Sequence, residues 1–252
     1  MWRVPILTFH SLDDSGSVVS MAPARFRQQI GALAARGWHT CSVDDILAWR
    51  RAAATAPDRT LAITFDDGYR SLHDVALPVL RDHGFSATVF VIPGRCGRDN
   101  RWPGQPDAIP TLQMLDWDQV AALQETGWRI GAHGMTHRPL TALTPAEAAR
   151  EITDSQRTLE RRGCREVTLF AFPFGFGSPA LRDLVEARFA GACGTTLDWV
   201  TEESDPYELP RLDAYYLRRW NAPDLLETMA GRVYVGLRRQ GRRLRARRPW
   251  RA

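Results

Sequence analysis

The sequence predicts an α/β protein built around a parallel sheet. Short apolar runs alternate with amphipathic stretches along most of the chain, several of these stretches begin with helix-capping signals, and 252 residues suffice for one large core. At this length a closed barrel fits the pattern as well as an open sheet does. In either architecture a functional site is expected at the carboxyl ends of the strands.

The predicted strands are short runs rich in apolar and β-branched residues. They are Val4–Phe9, Leu61–Phe65, Ser86–Ile92, Trp128–Ala132, Val167–Phe172 and Gly191–Thr196, with weaker candidates before Cys41 and after Leu209. Helical periodicity predicts helices at Pro23–Ala35, Val43–Arg51, Tyr69–His83, Asp116–Glu125, Pro145–Arg161, Pro179–Arg188 and Pro223–Arg239.

Two of these helices carry clear start signals. Thr144-Pro145 and Ser178-Pro179 each place a capping hydroxyl before a proline at the first helical position. Residues 94–110, in contrast, are rich in Gly, Pro, Asn and Asp and show no periodicity, so they are predicted to form a long loop. Loops of this kind often cover a functional site.

The composition favours a soluble, single-domain protein. Hydrophobic residues make up 44% and charged residues 25% of the chain, which is ordinary for a globular domain. There is no apolar run of about 18 residues, and the N-terminal apolar stretch is too short for a signal peptide, so we expect a cytoplasmic location. The cysteines form no Cys-x-x-Cys pair and are expected to be buried thiols in a reducing compartment rather than zinc ligands.

Positive charge is concentrated at the end of the chain. All 33 basic residues are arginine, and residues 231–252 hold nine of them without any Asp or Glu. We therefore divide the chain into a predicted domain at 1–230 and an Arg-rich tail at 231–252. The tail either extends the last helix into solvent or attracts an anionic lipid surface, which would place the protein peripherally at the inner membrane face. No nucleic-acid-binding motif accompanies it, so no nucleic acid partner is predicted.

Two adjacent carboxylates end the strongest predicted strand. Asp66 and Asp67 follow the apolar run 61–65 and precede Gly68, which gives the chain freedom to bend. Neighbouring side chains on a regular strand point to opposite faces, so both carboxylates can reach one site only if the strand ends at or just before them. The alternative is that Asp-Asp-Gly forms an ordinary surface turn.

Two histidines follow another predicted strand. His133 and His137 are four residues apart, which on a helical turn would put both rings on one face, with about 5 to 6 Å between their Cβ atoms. Two imidazoles and one carboxylate leave coordination positions open for water and substrate. This shell suits Lewis-acid hydrolysis and also non-haem iron chemistry.

A third cluster, residues 171–178, follows the predicted strand that ends at Phe172. Its sequence is Ala-Phe-Pro-Phe-Gly-Phe-Gly-Ser. It is either an aromatic loop that caps the fold or a turn whose backbone N–H groups point at a developing oxyanion.

Together these motifs resemble a known family. Thr64-Phe65-Asp66-Asp67-Gly68, the His133-to-His137 segment and the Phe170-to-Gly175 segment are similar, in order and separation, to the motifs of the polysaccharide deacetylases with a NodB homology domain, carbohydrate esterase family 4. The opening run that ends at His10 and the late Leu-Pro-Arg segment that ends at Arg211 resemble the family as well. The resemblance covers about residues 1–220.

The resemblance implies a fold, a cofactor and a set of roles. The expected fold is a distorted (β/α)7 barrel. A divalent metal, most often zinc, with cobalt, nickel, manganese or iron as alternatives, would be held by Asp67, His133 and His137. Asp66 would be the general base that takes a proton from the attacking water, and the backbone N–H of Phe174 would stabilise the oxyanion. The expected substrate is an N-acylated amino sugar of a glycan.

Two positions depart from the family pattern. Ala171 stands where an arginine often pairs with the base, and Arg211 is the candidate to replace it. No histidine follows His137, so a proton for the leaving group would come from His10 or from Asp66 acting twice. These departures leave a catalytically weak or inactive glycan-binding barrel in view. Because no motif specifies a sugar, a deformylase or deacylase of a small or lipid-linked amide is a further alternative.

Overall fold

The computed structural model describes residues 2–175 and 177–246. The strands within this part of the chain are β1 (Ile6–Phe9), β2 (Ser11–Leu12), β3 (Ser20–Met21), β4 (His39–Cys41), β5 (Thr60–Phe65), β6 (Thr88–Val91), β7 (Arg129–Ala132), β8 (Leu169–Ala171), β9 (Gly191–Cys193) and β10 (Leu212–Asp213). The helices are α1 (Pro23–Ala35), α2 (Val43–Arg51), α3 (Leu77–Asp82), α4 (Trp117–Glu125), α5 (Pro145–Arg161), α6 (Pro179–Glu186), α7 (Ala222–Glu227) and α8 (Met229–Ala246). The end of the predicted Arg-rich tail, residues 247–252, lies outside the described residues.

The main sheet is parallel and curls into a half-barrel, which confirms the predicted fold class. Its strand order is β10-β1-β5-β6-β7-β8-β9. The segment before β10 also pairs with the other end of the sheet, because Leu209 bridges Cys193 and the Arg211 N–H donates to the Thr196 carbonyl at 2.9 Å. Residues 209–213 therefore connect the last strand of the curl to the first.

The barrel is distorted at β5. Strand β4 pairs with the first half of β5, and β6 pairs with its second half, both on the edge opposite β1. Because β4 and β6 share one edge, the sheet opens at the amino end of these strands. All six residues of β5 are buried, as expected for a central parallel strand.

Alternating strand residues form an inner and an outer core. Leu61, Ile63 and Phe65 face the surrounding helices, whereas Ala62 belongs to the cluster inside the barrel. Helix α2 contributes Val43, Ile46 and Leu47 to the inner cluster, so it closes the amino end of the barrel. The carboxyl end of the strands is left for the polar motifs.

Two predicted helices differ from the observed ones. The segment predicted as one helix at Tyr69–His83 has a π-helical turn at Leu72–Ala76 before α3, where Pro78 cannot donate an intrahelical hydrogen bond. The predicted helix Pro223–Arg239 is broken at Thr228, which is extended and accepts a hydrogen bond from the Gly231 N–H at 3.1 Å. The predicted domain boundary at 230/231 thus falls in the first turn of α8. No helix in the described part of the chain is long and apolar enough to cross a membrane.

The described cysteines are free thiols, as predicted. Cys41, Cys164 and Cys193 are buried and Cys96 is half-buried. Burial raises the pKa of Cys41, Cys96 and Cys193 to about 12 and that of Cys164 to about 11. These thiols therefore behave as small apolar residues at neutral pH.

Candidate active site

The two adjacent carboxylates enter one site because the chain turns between them. Strand β5 ends at Phe65, and the Asp66 N–H still donates to the Phe9 carbonyl at 3.0 Å. The Gly68 N–H then donates to the Asp66 carbonyl at 2.9 Å, across Asp67 with a φ of 71°. A tight turn with a positive φ at a non-glycine residue is strained, and such strain is characteristic of functional sites. The surface-turn alternative is wrong, because both carboxylates are buried.

Asp67 meets the two predicted histidines. Its Oδ1 lies 3.3 Å from His133 Nε2 and 3.2 Å from His137 Nε2. One ligand atom from each residue lies within 4.8 Å of the others, and all three residues are buried. The His133 Nδ1–H donates to the Ala171 carbonyl at 2.7 Å, so Nε2 is the nitrogen that faces the cluster. Burial opposes protonation of this ring, but the hydrogen bond to Asp67 and the charges of Asp66 and Asp67 raise the pKa of His133 above its ordinary value. This donor set fits a divalent metal ion.

The histidines are not on a helical turn, so that part of the sequence interpretation is wrong. Residues 133–137 form a loop after β7, with a φ of 72° at Gly134 and 63° at His137. The loop is fixed by Glu151 of α5, which accepts from the Thr136 N–H at 2.8 Å and from the Thr136 hydroxyl at 2.6 Å. Backbone curvature, rather than helical periodicity, brings both rings to Asp67.

The long loop predicted at residues 94–110 packs against this cluster. The ring of Trp102 lies 4.3 Å from that of His137, and Phe174 lies 4.5 Å away from the same imidazole. Asn100 is buried and holds the loop together by accepting from the Leu112 N–H at 2.8 Å and donating to the Pro110 carbonyl at 3.0 Å. The rings of Trp102 and Phe174 therefore restrict the position of the His137 ring.

Asp66 has a different partner. Arg211 donates two parallel hydrogen bonds to its carboxylate, each 2.7 Å long. The guanidinium is buried and also donates to the Gly194 carbonyl at 2.9 Å. Ala171 lies in the inner cluster and has no side chain that could pair with Asp66, and Arg211, which directly precedes β10, supplies the guanidinium, as predicted. His10 lies further away, with Nε2 3.9 Å from Asp66 Oδ2.

The electrostatics of the two carboxylates differ accordingly. Burial by itself would raise the pKa of Asp66, but the charge and hydrogen bonds of Arg211 outweigh it and hold the pKa below its ordinary value. Burial likewise opposes ionisation of Asp67, and the two imidazoles hold its pKa well below the ordinary value. Burial lowers the pKa of His137, despite the proximity of Asp67. At neutral pH the site therefore holds two ionised carboxylates.

The third motif lies beside the histidines. Phe174 has a φ of 59° and Gly175 a φ of 71°. A Cβ at Gly175 would lie 2.1 Å from the Thr195 side chain, so a larger residue would displace this turn. The turn brings Phe174 to the site, and the oxyanion role of its N–H stays a prediction.

Sequence reasoning missed Glu151, Asn100 and Trp102 as supports of the site. One signal was present for Glu151, because Ala148, Glu151, Ile152 and Ser155 share the buried face of α5. An acid within an apolar helix face indicates a buried partner. Nothing comparable singles out Asn100 and Trp102 within the long loop.

The fold and the site together define an α/β protein of the parallel half-barrel class, with an Asp-His-His cluster able to hold a metal. The polysaccharide deacetylase family model matches residues 53–188, more than half of the chain. The chain belongs to the polysaccharide deacetylase family.

Individual relatives are distant. Bacillus subtilis (strain 168) YxkH, whose name places it among the polysaccharide deacetylases, is 25% identical over 173 residues, which are 69% of this chain and 57% of YxkH. A poly-β-1,6-N-acetyl-D-glucosamine N-deacetylase of Staphylococcus aureus (strain N315) is 22% identical over 220 residues, 80% of this chain and 72% of that protein.

Solved structures share the fold. The Streptococcus pyogenes deacetylase PplD superposes with a TM-score of 0.78 at 19% identity, covering 90% of this chain and 98% of PplD. IcaB from Ammonifex degensii superposes with a TM-score of 0.70 at 20% identity, covering 84% of this chain and 92% of IcaB.

Proposed function

We propose that this protein is a metal-dependent N-deacetylase that removes an acetyl group from an amino sugar of a glycan. One observation carries the proposal: two adjacent, buried carboxylates face different partners, one a pair of imidazoles and the other a guanidinium. Amide hydrolysis needs an activated water and a base that stays free of the metal, and this pair offers both.

Asp67, His133 and His137 would hold the cation. When bound, a divalent ion supplies Lewis acidity and lowers the pKa of a coordinated water towards about 7. Zinc is the first choice for two imidazoles and one carboxylate, with cobalt, nickel, manganese and iron as alternatives.

Asp66 would accept the proton of the attacking water. Its carboxylate is ionised and held in one orientation by Arg211. The water oxygen forms a bond to the amide carbonyl carbon, the C–N bond breaks, and the amine leaves after taking a proton from Asp66 or His10. The N–H of Phe174 would stabilise the oxyanion in between.

The proposed substrate class follows from the family and its relatives. The Staphylococcus aureus relative is named for a polymer of N-acetylglucosamine. In this chain Tyr215 is 47% exposed and lines a small surface depression with His10, whose Nε2 lies 3.9 Å from Asp66 Oδ2, so its ring could stack on a sugar at the edge of the site. The alternative of a catalytically weak or inactive glycan-binding barrel was motivated by Ala171 and by the absence of a histidine after His137. The Arg211–Asp66 pair answers the first of these reasons, and the second stays open to the test below.

The test is release of acetate and formate from N-acylated amino-sugar oligomers. The protein is treated with a chelator, then reconstituted with zinc or cobalt, and assayed beside the untreated protein. Acetate release that disappears with the chelator and returns with the metal supports the proposal. No release from any amino-sugar substrate by a protein that binds zinc tightly contradicts it and favours a binding role or a different amide.

A further inference from the structure

Helix α8 exposes a row of large apolar side chains. Met229, Val233 and Leu237 are 71%, 54% and 64% exposed. They are four residues apart, so they lie on one face of the helix. The other side of α8 packs on the protein through buried Val235 and through Tyr234, whose ring lies 5.4 Å from that of Trp220. The exposed row is therefore not needed to hold α8 in place.

Arginines lie beside and behind this row. At about 100° per residue, Arg232 lies about 100° from Val233 and borders the row, whereas Arg238 lies about 140° away on the side of Tyr234, and its guanidinium stacks over the Tyr216 and Tyr234 rings. No acidic residue follows Glu227 in the sequence, so the helix carries an uncompensated positive charge along most of its length. Arg239 is the exception in the described part, because it forms an ion pair with Asp198.

The basic end of α8 lies at the same end of the barrel as the candidate active site. Arg239 meets Asp198, shortly after β9 ends, and Arg238 stacks over Tyr216, shortly after β10 ends. The preceding helix lies at the opposite end, where Glu227 of α7 accepts from Arg36 and from Trp38 after α1. Helix α8 thus runs along the barrel towards the carboxyl ends of its strands.

We propose that α8 docks the protein on an anionic lipid bilayer, with Met229, Val233 and Leu237 entering the headgroup region and the positive charge of the helix attracted to the lipid phosphates. An exposed apolar row on an arginine-rich helix is the pattern of a helix that lies in a membrane interface. A nucleic acid would use the charge but not the apolar row. Because α8 runs along the barrel, docking lays the side of the barrel on the bilayer, with the site at one end beside the lipid surface, and it does not depend on the proposed catalytic activity.

The experiment is sedimentation with vesicles at low salt. The full chain is mixed with phosphatidylcholine vesicles with or without phosphatidylglycerol, and the bound fraction is measured. We expect binding that requires phosphatidylglycerol and falls as salt rises. Equal sedimentation with both vesicle types, or no binding to either, would overturn the proposal.

Variants separate the two features of the helix. Replacing Met229, Val233 and Leu237 by Ser should weaken binding at least about tenfold, because their apolar surface no longer enters the interface. Changing Arg232, Arg238 and Arg242 to Gln should weaken it about 100-fold, whereas the matched changes of the exposed Arg27, Arg81 and Arg157 to Gln should leave most of it. Equal losses in both arginine variants would overturn the assignment to α8.

Folding and self-association are checked in the same samples. Changing Arg232, Arg238 and Arg242 to Lys keeps the charge and should keep vesicle binding, so a general folding defect is distinguishable from loss of the interface. Analytical ultracentrifugation without lipid should show the same state for the parent and for the serine variant. A dimer that the serine changes abolish would overturn the proposal and make α8 a contact between two copies of the chain.

Discussion

Asp66 and Asp67 are neighbours in sequence, equally buried, and placed in opposite halves of one site. Asp67 belongs to the half formed by the loops after β5 and β7, where two imidazole nitrogens converge on it. Asp66 belongs to the half formed by the first and last strands, where Arg211 occupies both of its oxygens and His10 stands nearby. A single turn with a positive φ at Asp67 separates the two environments.

This comparison shows that the groups around each carboxylate, rather than its residue type, determine its chemical role. Two imidazole nitrogens beside Asp67 give this half a set of ligand atoms that can share a cation. A guanidinium competes with a metal for carboxylate oxygens and keeps Asp66 ionised and oriented. The predictions below test whether each half behaves as its partners require.

The largest effect is expected from Asp67→Asn, which removes a charged ligand from the imidazole half. Zinc affinity should fall by more than about 100-fold, since even changes to residues behind metal ligands cost 10-fold to 100-fold. Competition with a chromophoric chelator measures it, and Asp74→Asn, at an exposed position on the same connection, is the control. Unchanged zinc affinity in Asp67→Asn would show that Asp67 is not a metal ligand, and the proposed difference between the two halves would be wrong.

The next effect is on stability in the guanidinium half. Arg211→Met leaves the Asp66 carboxylate buried without its partner and should lower the free energy of unfolding by about 3–5 kcal/mol, measured by urea denaturation. Adding Asp66→Asn to Arg211→Met should recover part of the loss, because the uncompensated charge is gone. An Arg211→Met protein as stable as the parent would contradict a stabilising Arg211–Asp66 pair.

The same pair predicts a pH dependence. In the parent, Arg211 lowers the pKa of Asp66, so the pair contributes stability above the unfolded pKa and loses it as pH falls through the folded pKa. In Arg211→Met burial dominates and raises that pKa, so protonation relieves the buried charge. The stability gap between parent and variant should narrow towards acid pH, and a gap that stays constant in urea titrations would argue against it.

A smaller effect is expected from Glu151→Ala, which removes the acceptor that holds Thr136 between the histidines. Zinc affinity should fall about 10-fold to 100-fold, and the unfolding free energy by about 1–3 kcal/mol. Glu147→Gln on the same helix is the matched control, because Glu147 caps α5 at its exposed end. Equal effects of the two changes would show that Glu151 supports the helix rather than the imidazole half.

The smallest effect is expected from His10→Ala. His10 lies 3.9 Å from Asp66 and does not ligate the cluster, so turnover should fall about tenfold, the equivalent of one hydrogen bond, at unchanged zinc affinity. A loss of about 100-fold or more would identify His10 as the general acid. Unaltered turnover would remove it from the site.

Much of the fold could be predicted because buried parallel strands and capped helices leave local signals. The run Leu61–Phe65 and the capping Thr144 were visible in the sequence, and the structure has a strand at Thr60–Phe65 and a capping box at Thr144. The break at Thr228 was not, because a threonine that caps a new helix resembles one inside a continuous helix. The turn at Leu72–Ala76 likewise depends on how Pro78 is accommodated.

The candidate site was predictable in its members more than in its geometry. Asp66, Asp67, His133 and His137 stood out by residue type and position after strands, and Arg211 as the substitute for the missing arginine at Ala171. The loop conformation of the histidines depends on positive φ angles and on Glu151, a contact across 15 residues that periodicity does not encode. The long-loop contact of Trp102 depends on tertiary packing in the same way.

The most direct test of the divided roles is Asp66→Asn, with zinc content and acetate release measured on the same preparation. The account predicts zinc bound as in the parent and turnover reduced by about 100-fold to 10,000-fold, the usual contribution of a general base. Loss of zinc together with turnover would place Asp66 among the ligands, and full turnover with zinc bound would exclude it as the base; either result would contradict the account.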